Sequence, residues 1–126
     1  MGEALQKTYN IYKENGIVHC LYKEGVIMDL DFIIEAIDAR ISAAGGIPCP
    51  IFIDGRGVKY YTLEARKYGA SEKASKDATS YAILINSNIT KTIVNWSVKY
   101  YPPKGAPVRM FTDKDKALQW LEQFKG

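Results

Sequence analysis

Two short, unbroken apolar stretches, Ile51-Phe52-Ile53 and Tyr81-Ala82-Ile83-Leu84-Ile85, constrain this chain more than any other feature. Neither alternates with polar residues, so each reads as a strand buried on both faces, the habit of parallel sheets. Around them the apolar period keeps changing. Residues 8–13 alternate and residues 17–22 are rich in β-forming types, with Glu14-Asn15-Gly16 between them. Asn-Gly accepts the positive φ angles of a tight hairpin turn, so two antiparallel strands open the chain. Beyond Gly25 the period is helical: Leu30, Ile33, Ile34, Ile37 and Ile41 fall at i, i+3, i+4, i+7 and i+11. Asp29 is placed to cap this helix, Asp31 and Glu35 suit its positive end, and Gly45-Gly46 stops it.

After the first apolar run, Asp54-Gly55-Arg56-Gly57 reads as a break. Thr62 then caps a short helix over 63–68 that Gly69 ends, and residues 71–76 form another short helical piece. Beyond the second run, Ser87 or Asn88 opens a helix with Ile89, Ile93, Trp96 and Tyr100 inward, stopped by Pro102-Pro103. Residues 108–111 are the last strand. Thr112 with Asp115 resembles a capping box for a final helix striped by Ala117, Trp120, Leu121 and Phe124. The order β-β-α-β-α-β-α-β-α predicts right-handed crossovers and a mostly parallel sheet in an α/β fold. A length of 126 residues suits a single domain over 1–126.

Composition narrows the function classes. Apolar residues make up 47% and charged residues 25%, an ordinary globular balance. The longest uncharged runs, residues 41–53 and 78–90, are thirteen residues each, short of the ~18 needed to span a bilayer. The N-terminus has no signal-peptide pattern, so a cytoplasmic location is expected. Two cysteines (Cys20, Cys49) and one histidine (His19) make neither a disulfide framework nor a multi-histidine metal centre, so no metal and no cofactor are expected. Net charge is +3, but residues 1–54 carry −4 and residues 55–126 carry +7. The acid-free segment 86–112 holds Lys91, Lys99, Lys104 and Arg109, a face suited to peripheral contact with an anionic surface or an acidic partner. No zinc-finger, basic-zipper or RNA-binding motif accompanies it, and nucleic acid is not an expected partner.

Candidate chemistry concentrates after the third predicted strand. Asp54 stands at its carboxyl end, where ligands of open α/β sheets gather. A receiver-type phosphoacceptor would need an acidic pair after the first strand and a lysine after the last. The chain has Tyr12-Lys13-Glu14 and Phe111-Thr112-Asp113 there, which leaves Asp54 as an acceptor for loop N–H groups. Gly55-Arg56-Gly57-Val58-Lys59-Tyr60 lacks the third glycine of a dinucleotide fingerprint, and turn geometry accounts for both glycines. His19 meets no nucleophile elbow. A Cys–His pair would require Cys49 beside it, since Cys20 faces the other side of the strand. The pairs Tyr60-Tyr61 and Tyr100-Tyr101 divide between core and rim, or else line an amphipathic pocket.

Ile51-Phe52-Ile53-Asp54 followed by Gly57-Val58-Lys59-Tyr60-Tyr61-Thr62 resembles the core of the STAS domain, best known from anti-sigma-factor antagonists. The opening hairpin, the long first helix, Ala65-Arg66, Asn86-Ser87 and the closing Phe111-Thr112-Asp113 and Ala117-Leu118-Gln119-Trp120-Leu121 resemble small bacterial STAS/Sec14-like proteins. The resemblance runs from Tyr9 to Phe124. It implies a four- or five-stranded sheet with helices mainly on one side, used for protein recognition or lipid-like ligand binding without catalysis. Antagonist STAS domains carry Asp-Ser-Ser-Gly at the start of the second helix, where a kinase phosphorylates the second serine. Aligned without gaps from Gly57-Val58, these positions are Thr62-Leu63-Glu64-Ala65, so Glu64 replaces the switched serine.

The expected protein is a non-enzymatic recognition module. Asp54, Arg56, Thr62, Glu64 and Arg66 form its partner-binding surface. The alternative is a carrier of an amphipathic or lipid-like small molecule between the sheet and the helix over 89–100. The tyrosine-rich opening hairpin leaves an edge strand to pair, so a homodimer is also expected.

Overall fold

The computed structural model describes residues 8–86 and 106–125. Strands β1 (Tyr9–Glu14) and β2 (Ile17–Tyr22) pair antiparallel with Glu14 opposite Ile17. Asn15 and Gly16 have φ of 53° and 78°, as a two-residue primed turn requires. Then follow β3 (Val26–Met28), α1 (Leu30–Ala44), β4 (Cys49–Asp54), β5 (Val58–Tyr61) and α2 (Leu63–Gly69). A 3₁₀ turn (Lys73–Ser75), β6 (Ala78–Leu84), β7 (Val108–Phe111), α3 (Lys114–Leu121) and a last 3₁₀ turn (Glu122–Phe124) complete the described elements. Five strands form one sheet in the order β1-β2-β4-β6-β7, with all pairings parallel except β1 with β2. This is the mostly parallel α/β sheet that the apolar runs predict. The helix expected over 89–100 lies outside the described residues.

Both faces of the sheet are covered. Val18, Cys20, Ile51 and Tyr81 pack against Ala44 of α1 on one face. Ile17, Phe52, Ala82 and Leu84 pack against Ala117 and Leu121 of α3 on the other. Among the described helices α1 and α2 pack together while α3 covers the other face, and the reason lies in β4 itself. Ile51 and Phe52 point to opposite faces and are 1% and 0% exposed, so each face needs its own cover.

Three local readings change. The buried side of α1 is Ile33, Ala36, Arg40 and Ala44, while Leu30 is exposed and Ile34, Ile37 and Ile41 are half-buried. Ala44 packs directly on the sheet, and the buried Arg40 donates to the carbonyls of Ala74 and Lys76. The cap of α3 is Asp113, whose Oδ1 accepts the N–H of Lys116 at 3.1 Å, and not Thr112. With the start shifted by one residue, Lys116 occupies the third helical position and no capping box forms.

The third change adds a second, two-stranded parallel sheet. Residues 58–61 pair with β3, Val26 opposite Val58, Ile27 opposite Tyr60 and Met28 opposite Tyr61. Lys59 is the extra residue of a bulge. By taking no partner, it turns Val58 and Tyr61 inward with Val26 and Met28, and turns Tyr60 outward with Ile27. The inward residues form a third apolar cluster with Ile33 and Ala65, which fastens α1 to α2.

Candidate functional site

The loop between β4 and β5 begins at Asp54, on the carboxyl end of a central parallel strand. The N–H of Arg56 donates to Asp54 Oδ1 at 3.1 Å, so the aspartate does accept from its own loop. Arg56 adds a two-pronged contact, Nε to Oδ1 at 3.0 Å and Nη2 to Oδ2 at 2.8 Å. Partial burial pushes the Asp54 carboxyl up, but these hydrogen bonds outweigh it and hold the group below its ordinary value. The same carboxylate raises Arg56. The loop is closed further by Gly55 N–H to the Leu84 carbonyl at 2.9 Å and Val58 N–H to the Gly55 carbonyl at 3.2 Å.

Turn geometry does not account for the glycines here, since neither Gly55 nor Gly57 has positive φ. Gly57 is needed for closeness: a Cβ there would lie 2.9 Å from the Lys23 carbonyl oxygen and 3.0 Å from Glu24 Cα. Its own carbonyl accepts the N–H of Gly25 at 2.7 Å. The β4–β5 loop and the β2–β3 connection are thus pressed together backbone to backbone.

At the far end of β5, Thr62 caps α2, its Oγ1 accepting the Ala65 N–H at 3.1 Å. The Arg66 backbone N–H and side-chain Nε both donate to the Thr62 carbonyl, at 2.9 and 3.4 Å. Glu64 stands exposed in the first turn, with no hydrogen bond or ion pair among the described residues. The structure therefore joins Asp54 to Arg56 and Thr62 to Arg66, sets β5 between the two pairs, and leaves the Glu64 carboxylate open.

The cysteines and the histidine are not brought together. Cys20 and Cys49 lie in the α1-side core, and burial pushes the Cys20 thiol to about 12, far from a thiolate at neutral pH. His19 is on the opposite face, stacked parallel to Tyr12 at 5.0 Å between ring centres and edge-on to Phe52 at 5.7 Å. It borders a half-open groove of about 240 Å³ with Glu14, Lys114 and Glu122, and its buried Nδ1 has no hydrogen-bond partner. Among the described residues no group of three or more His, Cys, Asp or Glu could hold a metal ion, and no helix is long and apolar enough to cross a membrane. Tyr60 and Tyr61 divide as expected, one exposed and one half-buried. The predicted carrier pocket beside residues 89–100, with Tyr100, Tyr101, Lys91, Lys99 and Lys104, lies outside the described residues.

Sequence reasoning missed two things here. Arg40, at 3% exposure, is a buried cation inside a helix whose large apolar residues draw the eye away from it. It also missed that Ile27, Leu30, Tyr60 and Leu63 are exposed together around the β3–β5 ribbon. A signal was present: Asp29-Leu30-Asp31 and Thr62-Leu63-Glu64 repeat one cap–leucine–acid pattern.

The fold belongs to a known class. An uncharacterized protein of the DUF3478 family with a SpoIIAA-like fold, from Shewanella loihica PV-4, superposes with a TM-score of 0.63 at 19% identity, over 90% of this chain and 91% of its own. An anti-sigma factor antagonist from Mycobacterium paratuberculosis superposes with a TM-score of 0.59 at 14% identity, over 91% and 93%. The architecture is the SpoIIAA-like, STAS-type α/β fold. By sequence the chain belongs to the family described as domain of unknown function DUF7793, which it matches over residues 11–125. No curated protein matches it.

Proposed function

We propose that the protein is a non-catalytic, cytoplasmic recognition module that binds a partner protein through the β4–β5 loop and the start of α2. Asp54 and Arg56 would brace the loop, Thr62 and Arg66 the helix start, and Glu64 would present the charge that the partner reads. The open Glu64 carboxylate carries this reading. It occupies the place of the switched serine in the STAS resemblance, and a structural neighbour is an anti-sigma factor antagonist. Glutamate supplies about −1 permanently, against roughly −1.5 to −2 and three acceptor oxygens for phosphoserine, so the module would rest in one recognition state. A second copy is proposed to pair along β1, whose outer edge meets no strand among the described residues. Light scattering giving only a monomer mass at high concentration would dispose of the dimer.

The test of the main reading is retention from lysate of the native cell by wild type, Glu64→Gln and Glu64→Ser, with circular dichroism as the fold control. A stoichiometric partner held by wild type and lost by both variants is the expected result. Equal retention by all three would reduce Glu64 to a first-turn helix residue. Native mass spectrometry that finds a co-purified small molecule would turn the reading toward the carrier.

A further inference from the structure

The β3–β5 ribbon ends where two helices begin side by side. Met28 and Tyr61 are paired in register, and Thr62 N–H donates to the Met28 carbonyl at 3.0 Å. Two residues past each paired position stands a leucine in the first helical place, Leu30 of α1 and Leu63 of α2. Both are exposed, at 39% and 40%, and the outward ribbon residues Ile27 and Tyr60 are exposed at 51% and 59%. Four of the five large apolar residues exposed among the described ones thus fall in one region. The bulge at Lys59 is what brings Tyr60 out beside Ile27. Exposed apolar residues that gather in one region mark interaction sites, whereas ones scattered singly do not.

Charge decides the occupant. Asp31 and Glu64 follow the two leucines, both exposed and neither in an ion pair among the described residues. Nearby Arg56 is already paired to Asp54 and Arg66 is engaged with Thr62, while the exposed cations Lys59 and Lys67 stand on β5 and in the second turn of α2, away from the two helix starts. The helix-start end of the apolar group is therefore rimmed by two open carboxylates. That disfavours an anionic lipid surface and favours a cationic protein segment. We infer that Ile27, Leu30, Tyr60 and Leu63, with Asp31 and Glu64, form a docking surface for an amphipathic partner segment with leucine-type residues on one face and lysine or arginine on the other. This inference rests on the partner-recognition reading and adds the chemistry of what is recognised.

The test uses the full chain, ¹⁵N-labelled, titrated with a synthetic amphipathic peptide of leucines and lysines, with its leucine–glutamate twin, and with phosphatidylglycerol-containing vesicles. The expected result is that the lysine peptide perturbs amides of residues 26–31 and 60–65 while the glutamate twin does not. Asp31→Lys with Glu64→Lys should weaken binding about fivefold or more at low salt and much less at high salt. Ile27→Ser with Tyr60→Ser should weaken it at both. Perturbation elsewhere, equal response to the two peptides, or vesicle binding stronger than peptide binding would overturn the inference. A lysate partner lost on Glu64→Gln yet kept by Ile27→Ser with Tyr60→Ser would overturn this surface and leave the proposed function standing.

Discussion

At the scale of single residues, Gly57 does the most to position the candidate surface. Its missing Cβ lets two backbones meet, and the atoms that a methyl group would strike belong to the main chain at Lys23 and Glu24. Main chain cannot swing aside as a side-chain tip can. Gly57→Ala should therefore lower unfolding free energy by about 1–3 kcal/mol, read from urea denaturation. Gly55→Ala is the internal control, because its Cβ would sit 3.4 Å from the Leu84 carbonyl oxygen, an ordinary contact. Equal losses in both would refute the close-approach account. Glu64→Gln touches nothing in the fold beyond the dipole of α2, so its stability loss should stay below about 1 kcal/mol. That small loss is what makes Glu64 variants usable as binding probes.

At the scale of elements, the caps make a sharp comparison. Asp113→Ala should destabilise the protein by about 1 kcal/mol in thermal unfolding, while Thr112→Ala should change it little. The opposite order would restore the cap to Thr112. Elements that rest on local chemistry could be read from the sequence: the Asn15-Gly16 turn, the Asp29 and Thr62 caps, the left-handed Gly45 stop, and the two buried strands. The β3–β5 ribbon could not. β3 has three residues, and the bulge at Lys59 erases the alternation that would have marked β5. The side that α1 buries was also partly hidden, because two alanines and an arginine share it with Ile33, the one fully buried member of the apolar stripe. Of the candidate site, the Asp54 loop contact and the Thr62 cap were legible. The Asp54–Arg56 pair and the exposed apolar ribbon arise from tertiary placement, and no spacing rule contains them.

At the scale of the whole molecule, two groups couple the fold to pH in separate windows. His19 is held between Tyr12 and Phe52, and burial lowers its pKa from the ordinary 6.5. Lys114 pushes in the same direction, whereas the Glu14 carboxylate and carbonyl oppose it. A depressed folded pKa means that the unfolded chain takes the proton first as pH falls. Stability from neutral His19 is thus complete above about 6.5 and declines as pH drops from there through the folded value. Asp54 has the same sign at lower pH. Its carboxyl is depressed below the ordinary 3.8, so the stability of its pair with Arg56 is complete above that value and lost below it. Urea midpoints measured from pH 8 to 3 should therefore fall in two steps. His19→Phe, which keeps a ring against Tyr12 and removes the titrating nitrogen, should flatten the first step only. Asp54→Asn should flatten the second only. A first step that survives His19→Phe would assign it elsewhere, and a midpoint that rises on acidification from pH 7 to 5 would contradict a buried, neutral imidazole.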